Sequence, residues 1–153
     1  MAKIENPRKV FNFSIQIVQA PLNNWLAQDV EIPEESIEVT EHGDTNHNIK
    51  TGGRHMFGMV KINKLMLASG SDTYFFDWMA SVADVQLGGG LIPTQYKRTL
   101  IVNELAEDGG TIINTWTMTG CWPSKRSAIS LQRMSSDNTM EEIELCVDKV
   151  EKL

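Results

Sequence analysis

The stretch from Gly120 to Leu153, Gly-Cys-Trp-Pro-Ser-Lys-Arg-Ser-Ala-Ile-Ser-Leu-Gln-Arg-Met-Ser-Ser-Asp-Asn-Thr-Met-Glu-Glu-Ile-Glu-Leu-Cys-Val-Asp-Lys-Val-Glu-Lys-Leu, decides how this chain folds. Ile143, Leu145 and Val147 alternate with Glu142, Glu144, Cys146 and Asp148, the period of two that gives a strand one apolar and one mostly acidic face. Ser135, Ser136, Asp137 and Asn138 bond their own backbone and tolerate tight bends, so residues 124–134 are expected to run back antiparallel to this last strand. Proline has no N–H to give to a ladder. Pro123 therefore marks the Cys121-Trp122-Pro123 corner as an edge, a bulge or a bend.

Outward from that pair the same alternation recurs. Phe11, Phe13, Ile15 and Ile17 share one face of a strand over 8–19, and Leu26, Val30 and Ile32 mark a second strand after the Pro21-Leu22-Asn23-Asn24 turn. Across Pro33 the polar positions slip by one residue, which swaps the faces of a strand and predicts a bulge or tight turn at Pro33-Glu34. Glu41 to His55 is polar, carries three glycines and has Ile49 as its single apolar residue; residues 42–55 are read as a long extended loop that meets a partner. From Met56 to Ala68 both faces are apolar, Phe57, Met59, Leu65 and Leu67 against Met56, Val60, Ile62 and Met66. That predicts burial on both sides, as in a subunit whose outer face meets a neighbour. One helix is expected over 71–84, capped by Ser71 or Asp72, with Phe75, Trp78, Met79 and Val82 at helical spacing. Two more strands, 96–105 and 111–122, flank the hairpin signal Asp108-Gly109 and set Tyr96, Leu100 and Val102 against Ile112, Trp116 and Met118. The expected fold is one mainly β domain over residues 1–153: an antiparallel sandwich or barrel of seven to eight strands, one packed α-helix and the extended loop.

Charge narrows the function. The net charge of −6 is uneven: Lys and Arg number four against eight Asp and Glu in residues 1–50, five against three in 51–100, and five against nine in 101–153. That lacks the basic footprint of a protein that grips nucleic acid. Asp29 to Asp44 holds seven carboxylates and no Lys or Arg, a solvated face or a surface that repels a polyanion. No apolar run has the length of a signal peptide core or a membrane span, so a protein without membrane anchor, made in a cytoplasm, is expected. His42, His47 and His55 lie in the glycine-bearing loop without a thiolate, a poor frame for zinc, and no metal or cofactor is expected. Cys121 and Cys146 are too few for a disulfide framework and are read as reduced small hydrophobes. No nucleophile has a base in sequence reach, and the paired carboxylates are explained by exposure on alternating strands, so catalysis is not expected. Lys125, Arg126 and Arg133 form a basic island beside Trp122, fit for a nucleic-acid strand or, more simply, for the carboxylates of a neighbouring subunit.

Gly120-x-Trp122-Pro123, a polar strand, the Ser/Asp/Asn turn and a closing strand Glu141-x-Ile143-Glu144-x-x-Val147 resemble the C-terminal signature of contractile-tail tube proteins of the T4 type. Gly43-Asp44, Gly52-Gly53, the pair Phe76 and Trp78, and the Asp108-Gly109 hairpin follow in the family's order, so the resemblance spans about Phe11 to Val150. Lys50-Thr51-Gly52-Gly53 differs from the Leu-Pro-Gly of many members, and Lys125-Arg126 is more basic than usual there. The resemblance implies hexameric rings stacked into a hollow tube, with sheath, baseplate and tail-terminator proteins as partners and a lumen that conducts DNA without binding it specifically. It implies a virion protein made in the host bacterial cytoplasm. Carried onto this chain, the inter-ring loop would comprise His42, Gly43, Asp44, Thr45, Asn46, His47, Lys50 and Arg54. Gly120, Trp122 and Pro123 would be a structural corner, and Glu142, Glu144 and Asp148 are the expected lumen residues because they share one side of a strand. The alternatives are the tube of an extracellular contractile injection or type VI secretion system conducting effectors, and a monomeric β-sandwich binding module built on Trp122 and the basic island.

Overall fold

The computed structural model describes residues 13–19, 27–43, 45–65, 73–83, 88–134, 136–137 and 139–153. The expected features at residues 8–12, the Pro21-Asn24 turn, the Ser71 or Asp72 cap, Met66, Leu67 and Asp44 lie outside them. Alternation becomes strand at β1 (Phe13–Ile17), β2 (Ala27–Glu31), β3 (Glu35–Gly43), β4 (Asn48–Phe57) and β5 (Val60–Leu65). The helices α1 (Tyr74–Val82) and α2 (Pro93–Tyr96) follow, then β6 (Arg98–Leu105), β7 (Ile112–Arg126), β8 (Met140–Cys146) and β9 (Lys149–Lys152).

Among the described residues seven strands form one antiparallel sheet in the order β1-β6-β7-β8-β5-β2, with β9 also on β7, while β3 and β4 pair only with each other. The long β7 is the spine. Its first half lies between β6 and β9, its last residues pair with β8, and a bulge between Pro123 and Lys125 lets the missing proline N–H go unpaired. At the crossing, Gly120 has φ +69, and a Cβ there would lie 2.1 Å from the Asp148 carboxylate, so only glycine fits.

The core forms where inward phases meet. Leu100 pairs with Met118 and Val102 with Trp116, as the hairpin reading requires, while Ile112 lies past a bulge and is exposed. Ile62 lies opposite Ile143 and Val60 opposite Leu145, all fully buried. Helix α1 presses Phe75 and Trp78 onto this layer, and Trp78 Nε1 donates to the Tyr96 carbonyl at 2.7 Å. Each such side chain contributes about 1.5–3 kcal/mol on burial.

Four expectations need correction. The strand over 56–68 is broken at Gly58 and Met59, where Gly58 N–H bonds the Glu34 carbonyl; Met56 and Met59 are exposed, and among the described side chains of β5 the phase of Val60 and Ile62 is the buried one. Residues 42–55 are not one long loop: 42–43 end β3 and 48–55 belong to β4, so these residues lie in the β3–β4 ribbon. The strand over 124–134 stays paired with β8 only to Arg126. Exposure does not explain every carboxylate either, since Glu141 is buried against Lys64, Nζ to Oε2 3.1 Å, with Arg126 at 3.9 Å.

Candidate assembly surfaces

Three surfaces of this chain are left unfinished by its own fold. The first is the outer face of the four strands β7-β8-β5-β2. Directly opposed residues of a sheet share a face, so Glu31, Lys61, Glu144 and Lys125 stand side by side in one row, and Asp29, Asn63 and Glu142 in the next. Charge alternates along the first row. Glu142 and Glu144 are half-buried neighbours on this polar face, as expected. Asp148 stands apart from them: β8 ends at Cys146, and the Asp148 carboxylate accepts a hydrogen bond from Lys97 Nζ at 2.7 Å. That bond raises the Lys97 pKa. Among the described residues, β2 and the last residues of β7 each have one edge without a strand partner.

The second surface is the ribbon. Every residue of β3 and β4 is exposed except Phe57, which is half-buried. One face carries Ile37 and Val39, 58% and 61% exposed, between the pairs Glu35–His55 and Glu41–Lys50. His55 also stacks on Phe57 with ring centroids 4.8 Å apart. Between Ile37 and Val39 the register shifts, and a Cβ on Gly53 would meet the Glu38 carbonyl at 3.0 Å. His42 and Gly43 end one arm, Thr45, Asn46 and His47 form the tip, and Lys50 and Arg54 lie on the returning arm, all exposed. Among the described residues no three His, Cys, Asp or Glu side chains are grouped to hold a metal.

The third is the segment after β7, where Ile129, Leu131 and Met134 are exposed. The basic island does not gather here. Arg126 turns inward to Glu141 and over the Phe76 ring at 4.7 Å, and half-buried Trp122 meets Tyr96 edge to face. What sequence reasoning missed is the Lys64–Glu141–Arg126 cluster, although the signal was there: Lys64 continues the phase of Val60 and Ile62, and Glu141 that of Ile143 and Leu145.

The Gly120-Trp122-Pro123 corner is where β7 passes from β9 to β8 as its neighbour on one side. Cys121 next to it is buried, donates to the Met118 carbonyl at 3.3 Å, and has its thiol pushed up to about 12 by that burial, which makes it inert as a nucleophile. No convergent set of acid, base and nucleophile is formed among the described residues.

Solved structures with this fold include the PVC sheath-tube complex of an extracellular contractile injection system in its extended state, with 20% identity, coverage of 98% of this chain and 93% of that one, and a TM-score of 0.78. The tube-terminating cap of the anti-feeding prophage matches with 13% identity, 100% and 95% coverage and a TM-score of 0.82. Hcp1 from Flavobacterium johnsoniae is more distant, with 14% identity, 93% and 94% coverage and a TM-score of 0.53. At such identities the likeness is one of fold. No sequence among the curated proteins matches. The family model described as T4-like virus tail tube protein gp19 matches residues 9–151. The chain belongs to that family, and is a structural tube subunit of a contractile tail or injection system rather than an enzyme.

Proposed function

We propose that this subunit closes into hexameric rings that stack as the inner tube of a contractile phage tail, and that DNA passes down the lumen after the surrounding sheath contracts. One observation carries the reading: the four-stranded β7-β8-β5-β2 sheet has a charged face and two unpartnered edges, β2 and Trp122–Arg126, among the described residues. An edge of that kind seeks another strand. Pairing β2 of one copy with β7 of the next continues the antiparallel alternation, and a head-to-tail contact repeated around an axis closes a ring. The lumen would then be lined by the rows containing Glu142 and Glu144, with Asp29, Glu31, Lys61 and Lys125 beside them. Four carboxylates against two lysines leave that face acidic, so a polyanion meets no continuous basic track on which to stall. The stretch carrying His42, Gly43, Asp44, Thr45, Asn46, His47, Lys50 and Arg54 would bridge rings, and Gly120, Trp122 and Pro123 would hold the corner of the body. Sheath, baseplate and terminator proteins are the partners this role demands.

A second reading keeps the tube and changes the cargo to effector protein, favoured by the fold likeness to the PVC sheath-tube complex. Negative-stain microscopy of concentrated protein tests the assembly: annuli or tubes are expected, and a uniform monomer at every concentration would overturn it. Particles purified from a producing strain separate the cargoes, with nuclease-protected DNA expected and protected protein alone counting for the second reading.

A further inference from the structure

The ribbon and the segment 127–134 leave opposite ends of the same sheet, and neither is completed among the described residues. Register fixes the ends. Glu31 closes β2 beside Lys61, and Val60 opens β5 opposite Leu145, so the ribbon departs from the end that holds Pro123. Met140 opens β8 opposite Leu65, and β7 stops at Arg126, so the segment 127–134 departs from the other end.

That segment has the pattern of a strand without the ladder. Ile129 and Leu131 alternate with Ala128, Ser130 and Gln132, and Ser127 N–H bonds the Glu142 carbonyl at 2.9 Å. Beyond it, residues 128–132 make no backbone hydrogen bond among the described residues. Leu131 is 78% and Met134 100% exposed. A stretch with strand-like alternation and unspent N–H and C=O groups is a template for an added strand. The outer edge of β3 is the complementary template. Glu34, Glu35, Glu38 and Glu41 stand on or just before it with no Lys or Arg from 34 to 43, whereas 124–134 holds Lys125, Arg126 and Arg133 and no carboxylate. Glu34, Glu38 and Arg133 take part in no ion pair among the described residues.

We infer that the outer edge of β3 in one copy adds as a strand to residues 128–132 of a second copy in the next ring, with Ile37 or Val39 near Leu131 and the acidic edge near Arg133. Because the two surfaces lie at opposite ends of every copy, the contact is head to tail and propagates without limit, which is how a stack grows. Reach permits it. Strand residues advance about 3.3 Å each, so the nine residues of β3 span roughly 30 Å, beyond the height of the five-residue β2 below them.

The inference rests on the stacked-ring reading, and its test separates the two. Arg133→Glu and Glu38→Arg are each expected to raise the protein concentration needed for tubes about tenfold while leaving single rings intact, and the combined Glu38→Arg/Arg133→Glu chain to restore it. Val39→Cys/Leu131→Cys protein, oxidised after assembly, is expected to yield a ladder of cross-linked multimers that neither single variant yields. Circular dichroism of each variant monomer is expected to match the parent, since both positions are exposed. Tubes that form at the parent concentration in both charge variants, or the absence of a ladder, would overturn this contact and leave the ring assembly standing. A parent protein that forms no rings at all overturns the reading beneath it.

Discussion

In β7 and β8 one set of side chains is buried: Met118 and, across a bulge, Cys121 and Pro123 along one, Glu141, Ile143 and Leu145 along the other. In β3 and β4 alternate side chains differ in chemistry but hardly in exposure, because nothing among the described residues covers either face. The body and the ribbon are both antiparallel, yet one is held by packing and the other, among the described residues, by little beyond its own ladder, the Glu41–Lys50 ion pair and the Glu35–His55 contact. A lone two-stranded ribbon is marginal in water. What separates the regions is the presence of a second layer, which the body has and the ribbon lacks among the described residues.

The contrast breaks most visibly in the body. Trp78→Ala removes a fully buried indole and orphans the Tyr96 carbonyl, and is expected to cost about 3–5 kcal/mol in urea unfolding. Gly120→Ala is next, at about 1–3 kcal/mol, for placing a side chain at φ +69 against the Asp148 carboxylate, which must swing away from Lys97. Thermal unfolding of the isolated subunit measures both. If either leaves stability unchanged, the body is not held by the packing described.

A smaller effect is set by pH at the β6–β7 hairpin. The Asp108 carboxylate accepts the Thr111 and Gly110 N–H groups at 3.0 Å and the Thr111 hydroxyl at 2.7 Å, and these bonds hold its pKa at about 2, below the ordinary 3.8. A depressed acid stabilises the fold fully above its unfolded pKa and loses that contribution as pH falls through its folded one. Asp108→Asn is therefore expected to lower the melting temperature at pH 7, and the gap to the parent to close as pH falls from about 4 to 2. A gap constant across that window would mean that the charge does not matter.

Much of the body was legible because burial and alternation coincide there. The Leu100–Met118 and Val102–Trp116 pairs, the Phe75–Trp78 face and the bulge at Pro123 all follow from period and from missing donors. The same rule would have revealed Lys64 and Glu141 as buried partners, had phase been weighed above residue type: they lie directly opposite each other with opposite charge. The short helix α2 also carried its signal, Pro93 at the first helical position and Gln95, whose side-chain oxygen accepts the Ile92 N–H at 3.3 Å. The returning arm of the ribbon, β4, did not. Backbone hydrogen bonds make its ladder, and they leave no mark in a polar, glycine-bearing sequence. The same blindness extended pairing of the segment 127–134 too far, since alternation marks a strand without naming its neighbour. Asp148 was assigned by parity alone, and parity does not register that a strand ends at Cys146.

The smallest expected effect sharpens the comparison furthest. Ile37→Ser and Val39→Ser alter side chains that are more than half exposed, so each is expected to shift the stability of the isolated subunit by no more than about 0.5 kcal/mol. Substitutions of the same chemistry at Ile143 or Leu145 would open a cavity and bury a hydroxyl. Amide hydrogen exchange should draw the same boundary in the parent, fast along β3 and β4 and slow along β7 and β8, because local opening of the ribbon gives up almost no apolar burial. If the ribbon amides exchange as slowly as those of β8 in the dilute subunit, the ribbon already has a layer over it, and its need for a second copy disappears. If they are fast when dilute and slow once assembled, the missing layer is the neighbour.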